Sequence, residues 1–177
     1  MPNPQSVMQF AQHLEVGPRV LDMGCGIGIL SALAFERGAQ HVTGVDVNPL
    51  AIVETRKLAP SATVLVSDLF EHVEGRFDTV VFNVPWGVGV VRTNLDRATF
   101  DYPALLDRFF AAAPAHLERG GRLWIQYGEA LPGRLAKMLE LATQHRFVSE
   151  QSWSDELRSI STEQTWRIEL HRMRHAT

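Results

Sequence analysis

The sequence predicts a doubly wound α/β fold: a mostly parallel sheet with helices on both faces and an antiparallel strand at its C-terminal edge. Apolar segments rich in β-branched residues alternate with segments of helical period, which is typical of a parallel sheet covered by helices. After the last predicted helix, two apolar runs follow each other with no good helix between them. The 177 residues, 45% of them hydrophobic, suffice for one sizeable core, so we expect a single domain over residues 1–177.

The chain begins with a predicted short helix in its first 15 residues, with Ser6 as N-cap and apolar side chains at helical spacing behind it. The predicted parallel strands are Arg19–Met23, His41–Val47, Ala62–Ser67, Phe77–Val84 and Gly121–Gln126. The predicted helices are Ile29–Arg37, Pro49–Leu58, Pro103–Glu118 and Pro132–His145. The predicted antiparallel pair consists of Phe147–Trp153 and Thr165–Arg172.

Glycine and proline mark where these elements end. Gly38 and the pair Gly120-Gly121 stand where a C-cap glycine ends a helix. Pro114 is expected to interrupt the helix that precedes them or to start a new turn. The last residues, 171–175, carry alternating basic side chains, and we expect them to form a solvated tail.

Composition and charge make several partners and locations less favoured than others. There are 17 Lys and Arg against 20 Asp and Glu, a net charge of −3, and without a concentrated basic stripe a nucleic-acid partner is disfavoured. The single cysteine, Cys25, cannot form an internal disulfide, and no leader pattern is present, so a cytoplasmic location is expected. No apolar run approaches the roughly 20 residues of a membrane span. The histidines show no metal-ligand spacing, and no metal site is expected.

The first predicted strand leads into a glycine turn, VLDMGCGIG, over residues 20–28. Glycines at every second position let a ligand approach the backbone closely. The dinucleotide fingerprint would place its third glycine where Ile29 stands. Together with the acidic Asp22, this departure favours a smaller cationic or zwitterionic ligand over a pyrophosphate. The candidate ligand-binding residues here are Asp22, Gly24, Cys25, Gly26 and Gly28.

Acidic residues also end the next two predicted strands. Asp46, followed by Val47, stands where a carboxylate can accept hydrogen bonds from both hydroxyls of a ribose, whereas Asn48 is better placed to cap the helix that follows. Asp68 and Leu69 offer a carboxylate to an exocyclic amine and an apolar wall to a purine. Because the carboxyl ends of parallel strands meet at one edge, the three strand ends predict a site for an adenosine-containing ligand.

These motifs resemble those of class I S-adenosylmethionine-dependent methyltransferases, which have a Rossmann-like fold. The stretch SDLFEHVEGRFDTVVFNVPW over residues 67–86 resembles more closely the HemK-like branch, the glutamine side-chain methyltransferases of translation release factors. The stretch LDRFFAAAPAHLERGGRLWI over residues 106–125 resembles a later helix and strand of that branch. The resemblance implies S-adenosylmethionine as cofactor, S-adenosylhomocysteine as product, and transfer to a planar nitrogen.

The stretch Asn83-Val84-Pro85-Trp86 corresponds to the Asn-Pro-Pro-Tyr motif of that branch, with valine at the second position and tryptophan at the fourth. An amide or arylamine nitrogen is a poor nucleophile because its lone pair is delocalised. The Asn83 side-chain oxygen and the Val84 carbonyl can each accept one N–H of the acceptor, and Trp86 can cover the planar group. Asn83, Val84, Pro85 and Trp86 are therefore the candidate catalytic residues, and Asn83 also belongs to the candidate cofactor-binding set.

Three functional classes stay open from the sequence. The first is a methyltransferase acting on an amide or amino nitrogen of a small molecule or of a protein glutamine. The second transfers the methyl group to oxygen or carbon of a natural product. The third is a non-catalytic cofactor-binding subunit that supports a partner. Because the sequence starts close to its glycine turn, we expect no separate helical substrate-recognition domain of the kind found in the bacterial release-factor enzymes. The sequence does not indicate an oligomeric state.

Overall fold

The computed structural model describes residues 4–87, 89–90, 92–93, 96, 104–158 and 165–176. Its elements are α1 (Pro4–His13), β1 (Arg19–Met23), α2 (Ile29–Glu36), β2 (His41–Asp46), α3 (Pro49–Leu58), β3 (Thr63–Val66), β4 (Phe77–Asn83), α4 (Leu105–His116), β5 (Leu117–Gly128), α5 (Arg134–Gln144), β6 (Phe147–Arg158) and β7 (Thr165–His175). The predicted start of the third long helix, Pro103, lies outside the described residues.

The seven strands form one sheet in the order β3-β2-β1-β4-β5-β7-β6. β1 to β5 are mutually parallel where they pair, and β7 runs antiparallel to both β5 and β6. The predicted fold class and the antiparallel C-terminal pair are therefore confirmed. The chain order reverses between β1 and β4, and in doubly wound sheets ligands bind at this switch point, outside the carboxyl ends of the strands.

Helices cover both faces of the sheet. α4 and α5 pack over one face, where a large apolar cluster includes Phe82, Phe109, Phe110 and Met138. On the other face, α1 and α2 pack over a second cluster that contains Phe10, Leu14 and Trp124. α3 covers the β2 and β3 end through Ile52. Among the helices in the described part of the chain, none combines the length and apolarity needed to cross a bilayer.

Of the residues predicted to end or interrupt helices, Gly38 does so, whereas Gly120 and Pro114 do not. Gly38, with φ of +96°, follows the C-cap of α2 as predicted. Gly120, with φ of +82°, instead lies inside β5. The pairing of β5 with β4 is irregular there, because Phe77 of β4 pairs with Leu117 but Thr79 pairs with Arg122. Pro114 does not interrupt α4, which continues to His116. Pro114 has no N–H to donate to the carbonyl four residues earlier, and the helix ends only two residues after it.

The predictions for both chain ends need correction. Ser6 lies within α1 and not before it, because the helix begins at Pro4. The predicted solvated tail is part of β7, where His171 and Met173 are buried. His171 Nε2 lies 2.9 Å from Glu169 Oε2, and burial lowers the pKa of His171 against the raising effect of that carboxylate. Strand alternation buries His171 and Met173, while Arg172 between them is partly exposed and Arg174 is exposed.

Candidate active site

The carboxyl ends of β1, β2, β3 and β4 lie side by side and bring the predicted site residues to one edge of the sheet. Met23 at the end of β1 pairs with Val45 of β2 and with Phe82 of β4. Asp46 at the end of β2 pairs with Val66 of β3. The parallel register therefore assembles Asp22, Asp46, Asp68 and Asn83 at the edge where the sequence analysis expected them.

The glycine turn between β1 and α2 has the left-handed backbone that its glycines permit. φ is +66° at Gly24, +57° at Gly26 and +89° at Gly28, a region that costs other residues about 1–2 kcal/mol. A side chain on Gly28 would also lie 2.9 Å from the backbone of Thr55 in α3. Among the described residues, a side chain on Gly26 would meet only the Gly24 carbonyl, at 3.9 Å, so within this part of the chain the turn is open on that side.

Asp22 is a buried carboxylate with one unsatisfied oxygen. Its side chain is 1% exposed. Oδ2 accepts a hydrogen bond of 2.6 Å from the Ser31 hydroxyl of α2, while Oδ1 has no hydrogen-bond partner among the described residues. Burial raises the pKa of Asp22 to about 7, the Ser31 hydrogen bond lowers it, and the negative charge of Asp46 raises it further. A cation brought to Oδ1 would supply the missing partner.

The Asp46 carboxylate fixes the turn to the end of β2. Its Oδ2 accepts from the Gly26 N–H at 3.0 Å, and its Oδ1 accepts from the Asn48 N–H at 2.8 Å. Burial raises the pKa of Asp46, and these backbone hydrogen bonds lower it. Each carboxylate oxygen has a further lone pair, so donation from two ribose hydroxyls is compatible with these bonds. Asn48 caps α3 by accepting from the Leu50 N–H, as predicted.

Asp68 and Leu69 lie in the turn after β3. The Asp68 carboxylate lies 3.3 Å from Nη1 of Arg108 in α4, a partner that the sequence did not predict. Leu69 is buried with φ of +52°. The buried Ser67 hydroxyl holds this conformation by donating to the Leu69 carbonyl at 2.8 Å. A strained non-glycine residue that is fixed by a buried hydroxyl presents its side chain in one defined position.

Cys25 is a packing residue of this turn. Its backbone N–H donates to the Val45 carbonyl at 2.9 Å, and its buried thiol lies 3.3 Å from the Thr55 hydroxyl. Burial, together with the negative charge of Asp22, raises the pKa of Cys25. Because the thiolate is the nucleophilic form, this thiol is poorly suited to nucleophilic catalysis, and its small size is what the turn uses.

The segment after β4 is fixed by its neighbour β5. Asn83 pairs with Gln126, and the Val84 N–H donates to the Gln126 carbonyl at 3.0 Å. Proline has no N–H and could not make this bond, so valine at this position anchors the backbone in a way that the proline of the resembled motif cannot. Val84 is buried, whereas Asn83, Pro85 and Trp86 are partly exposed.

Trp86 packs against residues far away in sequence. Its indole lies over Gly128 at the end of β5, and its ring centroid is 5.9 Å from that of Trp166 in β7 with an interplanar angle of 63°. The sequence did not indicate a role at the site for Gly128 and Trp166, nor for Ser31 and Thr55. A short-range signal existed only for Gly128, a glycine two residues after the end of the predicted strand Gly121–Gln126.

The whole arrangement suits a ligand with a cationic end and a hydroxylated middle. Asp22 offers an unsatisfied buried oxygen, the turn offers exposed backbone at Gly26, and Asp46 offers a second carboxylate at the neighbouring strand end. Which of these residues contacts the ligand stays a prediction.

Comparison with known proteins decides the family. The model of a protein family described as "Methyltransferase small domain" matches residues 7–152 of the chain. The chain belongs to the methyltransferase small domain family. It is accordingly an S-adenosylmethionine-dependent methyltransferase, and S-adenosylmethionine is its cofactor. The cofactor carries cationic groups and ribose hydroxyls, which are the chemical types that the predicted binding residues Asp22 and Asp46 would pair with through their carboxylates.

Relatives of this methyltransferase have different named acceptors. A Methanocaldococcus jannaschii protein, provisionally named a protein N5-glutamine methyltransferase, is 33% identical over 136 residues, which cover 68% of this chain and 67% of that protein. A ribosomal RNA small subunit methyltransferase C from Chromohalobacter salexigens is 37% identical over 131 residues, 71% of this chain but 36% of that protein. The chain thus spans two thirds of the first relative and about a third of the second.

Solved structures share the fold. A ribosomal protein L11 methylase from Lactobacillus delbrueckii subsp. bulgaricus superposes with a TM-score of 0.71 over 99% of this chain and 81% of that chain, at 20% sequence identity. This likeness confirms the Rossmann-like architecture of the sheet.

Proposed function

We propose that this methyltransferase transfers the methyl group to a planar nitrogen, and that its acceptor is the side-chain amide of a protein glutamine, as in the HemK-like branch. The observation that carries the proposal is the segment Asn83-Val84-Pro85-Trp86, which leaves β4 beside the glycine turn and is anchored by the bond from the Val84 N–H to the Gln126 carbonyl. The relative provisionally named a protein N5-glutamine methyltransferase, which matches over two thirds of both chains, supports the same acceptor.

The chemistry of an amide sets what these residues must do. Its nitrogen lone pair is delocalised, so the enzyme must turn that lone pair toward the methyl donor without consuming it in a hydrogen bond. In the proposed site the Asn83 side-chain oxygen and the Val84 carbonyl each accept one N–H of the acceptor, which leaves the lone pair free. Trp86 covers the planar face and excludes water.

S-adenosylmethionine, when bound, supplies an electrophilic methyl group on a sulfonium that leaves as a neutral thioether. The protein therefore needs no strong base before transfer, and the amide proton can be lost afterwards to solvent. Positioning by Asn83 and Val84 and the exclusion of water are the main contributions of the chain. The raised pKa of Cys25 agrees with a mechanism that uses no thiolate.

A second candidate acceptor is the exocyclic amine of a ribosomal RNA base. The relative named ribosomal RNA small subunit methyltransferase C favours it, and a base amine has the same planar nitrogen. The net charge of −3 disfavours it, because binding to the phosphate backbone depends on clustered lysine and arginine side chains.

The test is to incubate the purified protein with methyl-labelled S-adenosylmethionine and a cell extract, and then to separate protein, RNA and small molecules. We expect label in protein, and mass spectrometry of the digested protein should find N5-methylglutamine. Excess S-adenosylhomocysteine should abolish the labelling. Label confined to RNA would favour the second candidate, and methylated oxygen or carbon of a small molecule would refute transfer to nitrogen.

A further inference from the structure

The indole of Trp86 lies directly on the backbone of β5. A β-carbon built on Gly128 would lie 2.7 Å from Cε3 of that indole and closer still to Cδ2 and Cε2. These atoms belong to the rigid ring system and cannot move independently of it. Residue 128 must therefore lack a side chain for Trp86 to keep this orientation, and no unusual backbone angle at Gly128 accounts for the glycine.

A second indole stands beside the first. Trp166 of β7 meets Trp86 edge to face, in the geometry that aromatic pairs prefer. Two backbone contacts fix its position: Trp166 pairs with Leu157 of β6, and the carbonyl of the next residue, Arg167, accepts from the Glu129 N–H at 2.8 Å. Contacts from three strands, β5, β6 and β7, thus fix the position of the Trp86–Trp166 pair.

Both rings are partly exposed, in contrast to Trp124, which is 1% exposed in the core of the sheet. Trp86 follows Asn83 by three residues, so the exposed parts of this pair adjoin the segment proposed to hold the acceptor. Partly exposed indoles give a surface that is flat, apolar and uncharged, which suits a planar group carried on a narrow apolar stem.

We propose that Trp166 and Gly128 determine acceptor specificity in this methyltransferase. Gly128 sets the plane of the Trp86 indole, and Trp166 forms the second wall of the site, so that the pair selects a planar amide on a slender stem, such as a glutamine side chain. The proposal rests on the proposed function, because it takes Asn83 and Trp86 to face the acceptor.

The packing step can be tested without an acceptor, by a double-mutant cycle on thermal unfolding. Gly128→Ala should lower the unfolding midpoint by about 5 °C, because the added methyl group overlaps the indole. In a Trp86→Ala background the same change should shift the midpoint by less than about 2 °C. If Gly128→Ala alone does not fold, Trp86→Ala should restore folding. Equal costs in both backgrounds overturn the proposal.

The specificity step is tested with labelled S-adenosylmethionine and the protein fraction of a cell extract. Trp166→Ala should raise the apparent KM for that fraction about tenfold, while the affinity for S-adenosylhomocysteine stays within about twofold. Trp166→Phe keeps an aromatic wall and should stay within about threefold of the wild-type KM. The matched control is Trp153→Phe, which alters a tryptophan stacked on Trp124 and should leave the KM unchanged.

The two proposals fail in different ways. If label enters RNA or small molecules and not protein, the glutamine acceptor is wrong, and the KM comparison is made on the fraction that is labelled. An unchanged KM for Trp166→Ala overturns the specificity role whatever the acceptor is. Equal losses of acceptor and cofactor affinity would show that Trp166 only supports the fold. Absence of transfer to any fraction overturns both proposals.

Discussion

Binding of S-adenosylhomocysteine should strengthen as the pH rises, because Asp22 must lose a proton before it can pair with the ammonium group of the ligand. In the free protein, burial raises the pKa of Asp22 to about 7, and Oδ1 has no hydrogen-bond partner among the described residues. A cation near Oδ1 favours the carboxylate and therefore displaces the proton. The ionised fraction rises about tenfold between about pH 6 and about pH 8, and the association constant should rise by a similar factor.

Calorimetry over this pH range gives the measurement, and adenosine, which lacks the ammonium group, is the ligand control. Its affinity should change by less than about twofold, and Asp22→Asn should remove the pH dependence for S-adenosylhomocysteine. A pH-independent affinity in the wild-type protein, or an equal dependence for adenosine, would refute the pairing of Asp22 with the ligand's cation.

The same carboxylate predicts the pH dependence of folding stability. Because the folded pKa of about 7 lies above the ordinary value of 3.8, the folded protein holds this proton more tightly than the unfolded chain. The stabilising contribution is complete below the ordinary value and is lost as the pH rises toward about 7. The free energy of unfolding should fall by no more than about 1.4 kcal/mol per pH unit for this one group. Urea unfolding of wild type and Asp22→Asn at several pH values checks this, and a wild-type stability that rises over this range relative to Asp22→Asn would contradict it.

Three further predictions concern the turn and the segment after β4. Asp46→Ala should weaken S-adenosylhomocysteine binding by about 1.5–3 kcal/mol in calorimetry, and an affinity unchanged within about twofold would exclude Asp46 from the site. Gly28→Ala should cost about 3 kcal/mol in urea unfolding, from backbone strain and contact with Thr55; a cost under about 1 kcal/mol would refute this. Val84→Pro should lower the free energy of unfolding by about 1 kcal/mol, because the hydrogen bond to Gln126 is lost. The variant should retain methyl transfer, since the carbonyl of residue 84 remains. Loss of transfer in a folded variant would show that the N–H is needed.

Much of the cofactor region could be predicted because it follows from local rules. The ends of successive parallel strands meet at one edge, so acidic residues at three strand ends had to converge once the strands were recognised. The N-cap role of Asn48 and the terminating role of Gly38 depend only on a few neighbouring residues. The two cap roles depend on neighbouring residues alone, and the convergence of the strand ends requires only that successive strands be parallel neighbours.

The acceptor side could not be predicted in the same way. The contact of Trp86 with Gly128 and Trp166 depends on β7 lying between β5 and β6, an order that strand patterns do not specify. The ion pair of Asp68 with Arg108 likewise depends on how α4 crosses the sheet. The tail prediction failed because residues 171–175 were interpreted by charge, whereas their alternation of buried and exposed side chains fits a strand.

The single-turnover rate of methyl transfer by Asn83→Ala tests the central claim most directly. The measurement uses saturating S-adenosylmethionine and the extract fraction that wild type labels, with Asn48→Ala as control, because Asn48 caps α3 and is not proposed to touch the acceptor. We expect Asn83→Ala to transfer on the order of a hundredfold to a thousandfold more slowly, with S-adenosylhomocysteine affinity within about threefold of wild type and Asn48→Ala near the wild-type rate. A wild-type transfer rate in Asn83→Ala would contradict the two-acceptor mechanism and leave Asn83 a turn residue.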